Sequence, residues 1–133
     1  YPGTRGNYCE TDPVLPINNY AISKLGGECA VQMYKNSLIL RICMTEKPFV
    51  HKEAFKDVEM NFMFHEDLAK NLLKLIDKKG IINIGGKRQI VYKFAKLTNN
   101  KVKPISAKKI LGKNFPLKQS MNIKKYLKIL KNY

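Results

Sequence analysis

The chain of 133 residues has no hydrophobic run long enough to cross a membrane. Its most apolar stretch, Leu38 to Met44, is interrupted by Arg41 and is far shorter than the roughly 20 residues that a membrane-spanning helix needs. Cysteine is also scarce. The three cysteines, Cys9, Cys29 and Cys43, are far apart in sequence and form no Cys-x-x-Cys pair. These absences predict a soluble, cytoplasmic protein with reduced thiols, no disulfide framework and no structural metal.

Acidic residues are absent from the second part of the chain. All ten lie between Glu10 and Asp77, whereas residues 78–133 carry sixteen Lys or Arg. Such a field favours an anionic partner, which could be a nucleic acid, an acidic membrane surface or a phosphorylated small molecule. Arg, which reads guanine edges, is scarce beside twenty-two Lys. That scarcity disfavours sequence-specific DNA binding and makes a solvated basic face the preferred interpretation.

A Gly-rich phosphate-binding loop is missing as well. No Gly-x-Gly-x-x-Gly occurs, and the residues from Tyr1 to Gly6 contain neither an initiator Met nor a presequence. We therefore expect the chain to be a portion of something longer. Its length supports about one hydrophobic core, so residues 1–133 are predicted to form a single domain.

Short apolar runs alternate with helical patterns, which predicts an α/β fold. Helices are predicted over residues 20–34, with Asn18 or Asn19 as the cap, and over 65–76, 89–97 and 122–131, with a short one over 51–56. Strands are predicted over residues 37–43, 58–64, 81–84 and 102–106, the first of them buried and parallel. The last helix has one apolar and one basic side, and we expect it to dock on its own core rather than on a membrane.

Tyr20 and Lys24 stand four residues apart, which places a phenol and an ammonium on one face of the first predicted helix. A fixed cation favours a phenolate, so the pair could act as a general acid or base near neutrality. The spacing alone is weak, because it recurs at Tyr92 and Lys96. An exposed Lys beside a half-buried Tyr is the structural alternative for both pairs.

The surroundings of the first pair are more specific. The segments GNYCETDP (residues 6–13) and PINNYAISKLGGE (residues 16–28) closely resemble the active-site region of extended short-chain dehydrogenases. They look most like the dTDP-4-dehydrorhamnose reductase group, in which an acidic loop precedes a Tyr-x-x-x-Lys helix. Weaker similarities continue through the strand ending at Arg41, the helix opening at residues 65–69 and the segment Ile81 to Gly86. The family's Tyr-Gly signature after that Arg is absent, which leaves sugar specificity open.

The resemblance implies the carboxyl-terminal part of a Rossmann-type short-chain dehydrogenase whose N-terminal dinucleotide-binding half is absent. Residues 1–77 would end the Rossmann-like part, and residues 78–133 would form a small basic substrate-binding lobe. In the intact parent, NAD(P)H would exchange a hydride with a nucleotide keto-sugar, while Tyr20 passes a proton and Lys24 hydrogen-bonds the nicotinamide ribose. The catalytic Ser or Thr of the family would fall before Tyr1, so the chain alone is expected to bind no cofactor and to have little or no turnover.

Further candidate binding residues lie outside the Tyr–Lys helix. Arg41, Lys87 and Arg88 are candidates for contacts with a nucleotide-sugar substrate. Gly85 and Gly86 could hold an anion on free N–H groups, although a plain turn is preferred. Strand edges and helix faces without their Rossmann partners should pair between copies, so we expect a homodimer formed through the helix that carries Tyr20.

Two other functions remain open at this level. The chain could be a stand-alone sugar-nucleotide-binding module without catalysis. It could also be a basic nucleic-acid-binding or anionic-surface-binding domain built on residues 78–133, which would bind independently of Tyr20 and Lys24 and weaken steeply with salt.

Overall fold

The computed structural model describes residues 1–132, and Tyr133, the last residue of the predicted basic lobe, lies outside the described residues. Helices and strands alternate along the chain, as an α/β fold requires. The helices are α1 (Asn19–Gln32), α2 (His65–Leu72), α3 (Val91–Ala95), α4 (Ala107–Ile110) and α5 (Lys124–Lys131). The strands are β1 (Leu38–Ile42), β2 (Met44–Thr45), β3 (Glu53–Phe55), β4 (Glu59–Met60), β5 (Met63–Phe64), β6 (Gly80–Ile84), β7 (Gln89–Ile90) and β8 (Lys103–Ile105).

The strands pair across long stretches of sequence. β1 pairs with β6 in parallel, from Leu38 opposite Gly80 to Ile42 opposite Ile84. Two short parallel pairs join β2 to β5 and β3 to β8, and β4 pairs with β7 antiparallel. The parallel pairing of β1 confirms the prediction from its apolar run. Every residue of β1 is nevertheless only partly buried, since within residues 1–132 the strand has a single neighbour, β6.

Two apolar clusters form the core. One lies between α3 and the β3–β8 pair, and the other lies where β6 packs against α2 and α5. Tyr126 of α5 is buried in the second cluster, and Ile123, Ile129 and Leu130 pack around it. The predicted docking of the basic C-terminal helix on the protein's own core is therefore confirmed.

Three predicted helices are wrong in part. Residues 51–56 contain strand β3 instead of a short helix, because the backbone of this segment pairs with β8. The helix predicted over 89–97 begins only at Val91, since the two residues before it form β7. The helix predicted over 65–76 ends at Leu72, and of the aliphatic side chains in the predicted range Leu68 and Leu75 are buried while Leu72 and Ile76 are exposed.

The strand predicted over residues 58–64 is split into β4 and β5. The break is at Asn61, whose buried side chain donates to Gly86 O at 3.1 Å and accepts from Met121 N at 2.6 Å. These two hydrogen bonds turn the Asn61 side chain towards the interior, because a buried amide must find partners. The amide thereby joins three distant segments of the chain.

Candidate functional site

The helix that carries the Tyr–Lys pair begins where the sequence predicts. Asn18 has an extended backbone, and its side-chain Oδ1 accepts a hydrogen bond from Ala21 N at 2.8 Å, which confirms it as the N-cap of α1. Tyr20 lies in the first turn and Lys24 one turn later. The Lys24 Nζ atom lies 5.4 Å from the centroid of the Tyr20 ring, so the two side chains face the same side. Tyr20 is 71% exposed, which leaves its hydroxyl open to a ligand.

Both side chains line a cleft of about 750 Å³. The cleft is lined by residues Val14 to Asn18, by part of α1, by β1, and by Pro116, Gln119 and Met121. Ligand pockets in proteins typically measure about 300–1,000 Å³, so the cleft has the size of a small-molecule site. A ligand seated in it would lie within reach of the Tyr20 hydroxyl and the Lys24 ammonium.

An ion pair between Arg41 and Glu28 links α1 to β1. None of the fourteen residues of α1 is buried, so apolar packing holds the helix only weakly. The guanidinium of Arg41 in β1 donates to both carboxylate oxygens of Glu28 in α1, with Nε to Oε2 at 3.0 Å. The two side chains are only 14% and 12% exposed. The hydrogen bonds to Glu28 are the largest cause that raises the pKa of Arg41, so the guanidinium remains charged.

The same guanidinium reaches the loop before α1. Arg41 Nη1 donates to the Tyr1 hydroxyl at 2.5 Å and to Glu10 O at 3.3 Å. The Tyr1 hydroxyl in turn donates to Asn83 Oδ1 at 2.8 Å, and burial raises the pKa of this phenol. Arg41 therefore contacts protein groups on three sides while it also lines the cleft.

Asn83 in β6 also holds the loop before α1 in place, a role that the sequence analysis does not predict. Its side chain is fully buried and donates to Tyr8 O at 2.9 Å, while its backbone N–H donates to Glu10 Oε1 at 3.0 Å. The acidic loop of the sequence motif is thus held on the end of β6. A signal for it existed, because an Asn inside the apolar run Ile81 to Ile84 must satisfy its amide in the interior.

The other two predicted substrate residues do not line the cleft. Arg88 Nε lies 3.1 Å from Glu59 Oε2, and Lys87 is exposed next to it. Gly86 N–H donates to Asn61 O at 2.8 Å and is therefore not free for an anion. A Cβ on Gly85 or Gly86 would lie 2.4 or 2.3 Å from the carbonyl oxygens of Asn61 and Phe62. The two glycines thus allow a close backbone approach at a turn, which is the preferred interpretation of the sequence.

The second Tyr–Lys pair has different surroundings. Tyr92 and Lys96 lie in and just after α3, outside the residues that line the cleft. The Lys96 ammonium donates to Asn100 O at 2.9 Å, one turn further along the chain. This pair therefore serves as an internal comparison for the first.

The sequence does not predict that Pro116, Gln119 and Met121 line the cleft. Gln119 donates from Nε2 to Pro116 O at 2.7 Å, which fixes its amide at the cleft. A smaller apolar pocket of about 280 Å³ adjoins the cleft and shares with it Tyr1, Ile42, Met44, Gln119 and Met121. Cys43 also lines it, and burial raises the pKa of this thiol to about 12, so the thiol stays protonated at neutral pH.

Across residues 1–132, no helix combines the length and apolarity that a membrane span demands. The same described part of the chain holds no group of three or more His, Cys, Asp or Glu side chains arranged to bind a metal ion.

Solved structures similar to this chain include two described as dTDP-4-dehydrorhamnose reductases and one described as an epimerase. A hypothetical dTDP-4-dehydrorhamnose reductase from Sulfolobus tokodaii matches with a TM-score of 0.75 and 25% identity, over 97% of this chain and 54% of that one. The dTDP-4-dehydrorhamnose reductase from Bacillus anthracis str. Ames, in complex with NADP, matches with a TM-score of 0.76 and 20% identity, over 100% and 56%. The UDP-glucuronic acid 4-epimerase from Bacillus cereus, in complex with NAD, gives 0.66 and 16%, over 98% and 51%.

The chain spans about half the length of each of these proteins. No protein-family model matches it. A search of curated proteins finds no match either. The comparisons therefore agree with the predicted α/β architecture and with its resemblance to part of Rossmann-like reductase chains.

Proposed function

We propose that this chain is a portion of an NAD(P)-dependent sugar-nucleotide reductase or epimerase, and that its cleft binds the nucleotide sugar. One observation carries the proposal: Tyr20 and Lys24 lie on the same side of α1, one turn apart, at the wall of a cleft of ligand size. The fold shared with two dTDP-4-dehydrorhamnose reductases and an epimerase supports this assignment over a stand-alone binding module.

Tyr20 is the proton-transfer residue in this proposal. Its exposed hydroxyl can donate a proton to a sugar carbonyl oxygen or accept one from a sugar alcohol. Lys24 places a positive charge beside the ring, which stabilises negative charge on the phenol oxygen when its proton has left. The ammonium also offers donors to a ribose hydroxyl. Arg41 holds α1 and the loop that contains Tyr1 in place. Because Arg41 also lines the cleft, we propose that it contacts the substrate directly.

The described residues fit one end of the cofactor. Tyr20 and Lys24 provide hydrogen-bonding groups for the nicotinamide ribose, whereas residues 1–132 contain no Gly-rich strand-turn-helix to hold the pyrophosphate. When bound, NAD(P)H supplies the hydride. We propose that a dinucleotide-binding half outside this chain completes the cofactor site.

The free edge of β1 offers a surface for this dinucleotide-binding half. β1 has one neighbour, β6, so its other edge offers unpaired backbone groups within the described part of the chain. Ile22, Met33 and Tyr34 on and just after α1 are exposed apolar side chains close to this edge in sequence. We propose that the N-terminal half covers the edge and that the outer side of α1 pairs with a second copy, which would make the parent protein a homodimer.

Binding of a nucleotide sugar tests the assignment on the chain itself. Titration with dTDP-glucose, followed by amide NMR shifts, should perturb residues of the cleft, including those around Tyr20, Lys24 and Gln119. Gln119→Ala should weaken the binding several-fold, by about 1 kcal/mol for a lost hydrogen bond. Lys24→Ala should also weaken the binding, and Lys96→Ala, outside the cleft, is its matched control and should leave the binding unchanged.

Two results would contradict the proposal. Shifts confined to residues away from the cleft would place the ligand elsewhere. Equal weakening by Lys96→Ala and Lys24→Ala would mean that positive charge in general, rather than the cleft, attracts the nucleotide.

A further inference from the structure

The Lys and Arg residues of the second part of the chain, residues 78–132, do not line the cleft. From residues 78–132, the cleft is lined by Pro116, Gln119 and Met121, and none of these side chains carries a charge. The sixteen cations of residues 78–133 must therefore face other surroundings. They need a separate explanation from the one given for Tyr20 and Lys24.

A second groove, of about 500 Å³, gathers three lysines from two distant segments. It shares no residue with the cleft and lies at the β3–β8 pair. Its lining residues are Val50, Lys52, Glu53, Asn99, Lys101 and Lys103. Three lysines thus line one concave surface together with Glu53.

Backbone hydrogen bonds hold the lysines in place. Lys103 N–H donates to Lys52 O at 2.9 Å, at the start of the parallel pair in which Glu53 stands opposite Lys103. Lys101 N–H donates to Asn99 Oδ1 at 3.0 Å, and Asn99 Nδ2 donates to Phe49 O at 2.9 Å. The turn that carries Lys101 is therefore tied to the segment that leads into β3. The walls of the groove are set by the fold rather than by flexible side chains alone.

The three ammonium groups have no partner of their own. Within residues 1–132, the side chains of Lys52, Lys101 and Lys103 make neither a hydrogen bond nor an ion pair, and Glu53 pairs with none of them. Like charges that line one groove repel one another. An anion in the groove would relieve that repulsion, and a phosphate can accept hydrogen bonds from several ammonium groups at once.

We propose that this groove binds a small polyphosphate anion of the di- or triphosphate class. Its volume lies within the range of small-molecule sites, and its lysines supply point charges that suit phosphate oxygens. The site is distinct from the cleft, and it stands whether or not the cleft binds a nucleotide sugar. Glu53 lowers the charge of the groove, so it limits the affinity for such an anion.

Calorimetric titration of the full chain with tripolyphosphate at low ionic strength tests the site. Lys101→Gln and Lys103→Gln should each weaken binding about fivefold, which corresponds to about 1 kcal/mol per lost contact, and the triple variant with Lys52→Gln should weaken it about a hundredfold. Glu53→Gln should tighten binding about threefold. These side chains are exposed, and circular dichroism of each variant checks that the fold is retained.

Lys128→Gln on α5 is the matched control, because it removes the same charge from an exposed position outside the groove, and it should change the affinity less than twofold. Equal losses for Lys128→Gln and Lys101→Gln would overturn the proposal in favour of diffuse attraction, as would an absence of binding to the unmodified chain. A single-stranded oligonucleotide that binds more tightly than tripolyphosphate, with the same dependence on the three lysines, would overturn it in favour of a nucleic acid.

Discussion

Removing the Arg41 side chain should release α1 from the sheet. The helix buries no residue of its own, and Arg41 supplies two hydrogen bonds to Glu28 and two more to the loop before the helix. Breaking a well-buried ion pair by removing one partner costs about 3–5 kcal/mol. Because this pair keeps slight exposure, we expect Arg41→Ala to cost about 2–4 kcal/mol, most of it in the local stability of α1.

Hydrogen exchange measured residue by residue is the assay for this loss. A loss of about 3 kcal/mol should accelerate exchange of the α1 amides by about a hundredfold, because a free helix of this length is marginal in water. The exchange rates of the β6 amides, which lie in the core, should change far less. Arg88→Ala is the control, since its ion pair with Glu59 is more exposed and should be worth at most about 1 kcal/mol. Unchanged protection of α1 in Arg41→Ala would refute the anchoring role.

Three further predictions concern stability and reactivity. Iodoacetamide at mildly alkaline pH should modify exposed Cys29 about a thousandfold faster than Cys43, whose pKa burial raises to about 12, and peptide mass spectrometry would show the order. Although partial burial opposes the shift, hydrogen bonds from Ser106 and two backbone N–H groups lower the pKa of Asp57. Its stabilising effect is therefore present above pH ~4 and is lost as the pH falls further. Urea unfolding should show Asp57→Asn about 1–2 kcal/mol less stable than the unmodified chain at neutral pH and nearly equal to it at pH ~2, and a constant difference would contradict this. Gly86→Ala should destabilise by about 1–3 kcal/mol because its Cβ would meet Phe62 O, whereas Gly27→Ala in α1 meets nothing and should be neutral or stabilising in thermal unfolding.

Local patterns in the sequence predict the elements that depend on local chemistry. α1 with its Asn18 cap, β1, β6 and the docked C-terminal helix all follow from periodicity and capping. The pairing of β3 with β8 does not, because it joins residues about fifty positions apart and overrides the helical pattern of residues 51–56. The split of residues 58–64 has the same origin, since it depends on partners that Asn61 finds at distant positions.

The site shows the same division. Tyr20 and Lys24 could be found because one helix turn brings them together. Gln119 could not, because nothing in its own neighbourhood shows that the chain end returns to face α1. Charge beside a Gly-Gly pair predicts Lys87 and Arg88 as substrate residues, but neither lines the cleft, and Arg88 pairs with Glu59. Their contact with a substrate remains a prediction that the geometry does not favour.

The most direct test of proton transfer by Tyr20 compares two Tyr→Phe variants in a protein that contains this chain together with a dinucleotide-binding half. Oxidation of NADPH is followed with a nucleotide 4-keto-sugar as substrate. Tyr20→Phe should lower kcat by about 10²–10⁴-fold, as the loss of a proton-transfer group does, while Tyr92→Phe should leave it unchanged. Full activity of Tyr20→Phe would contradict the assignment of the cleft as the site of proton transfer.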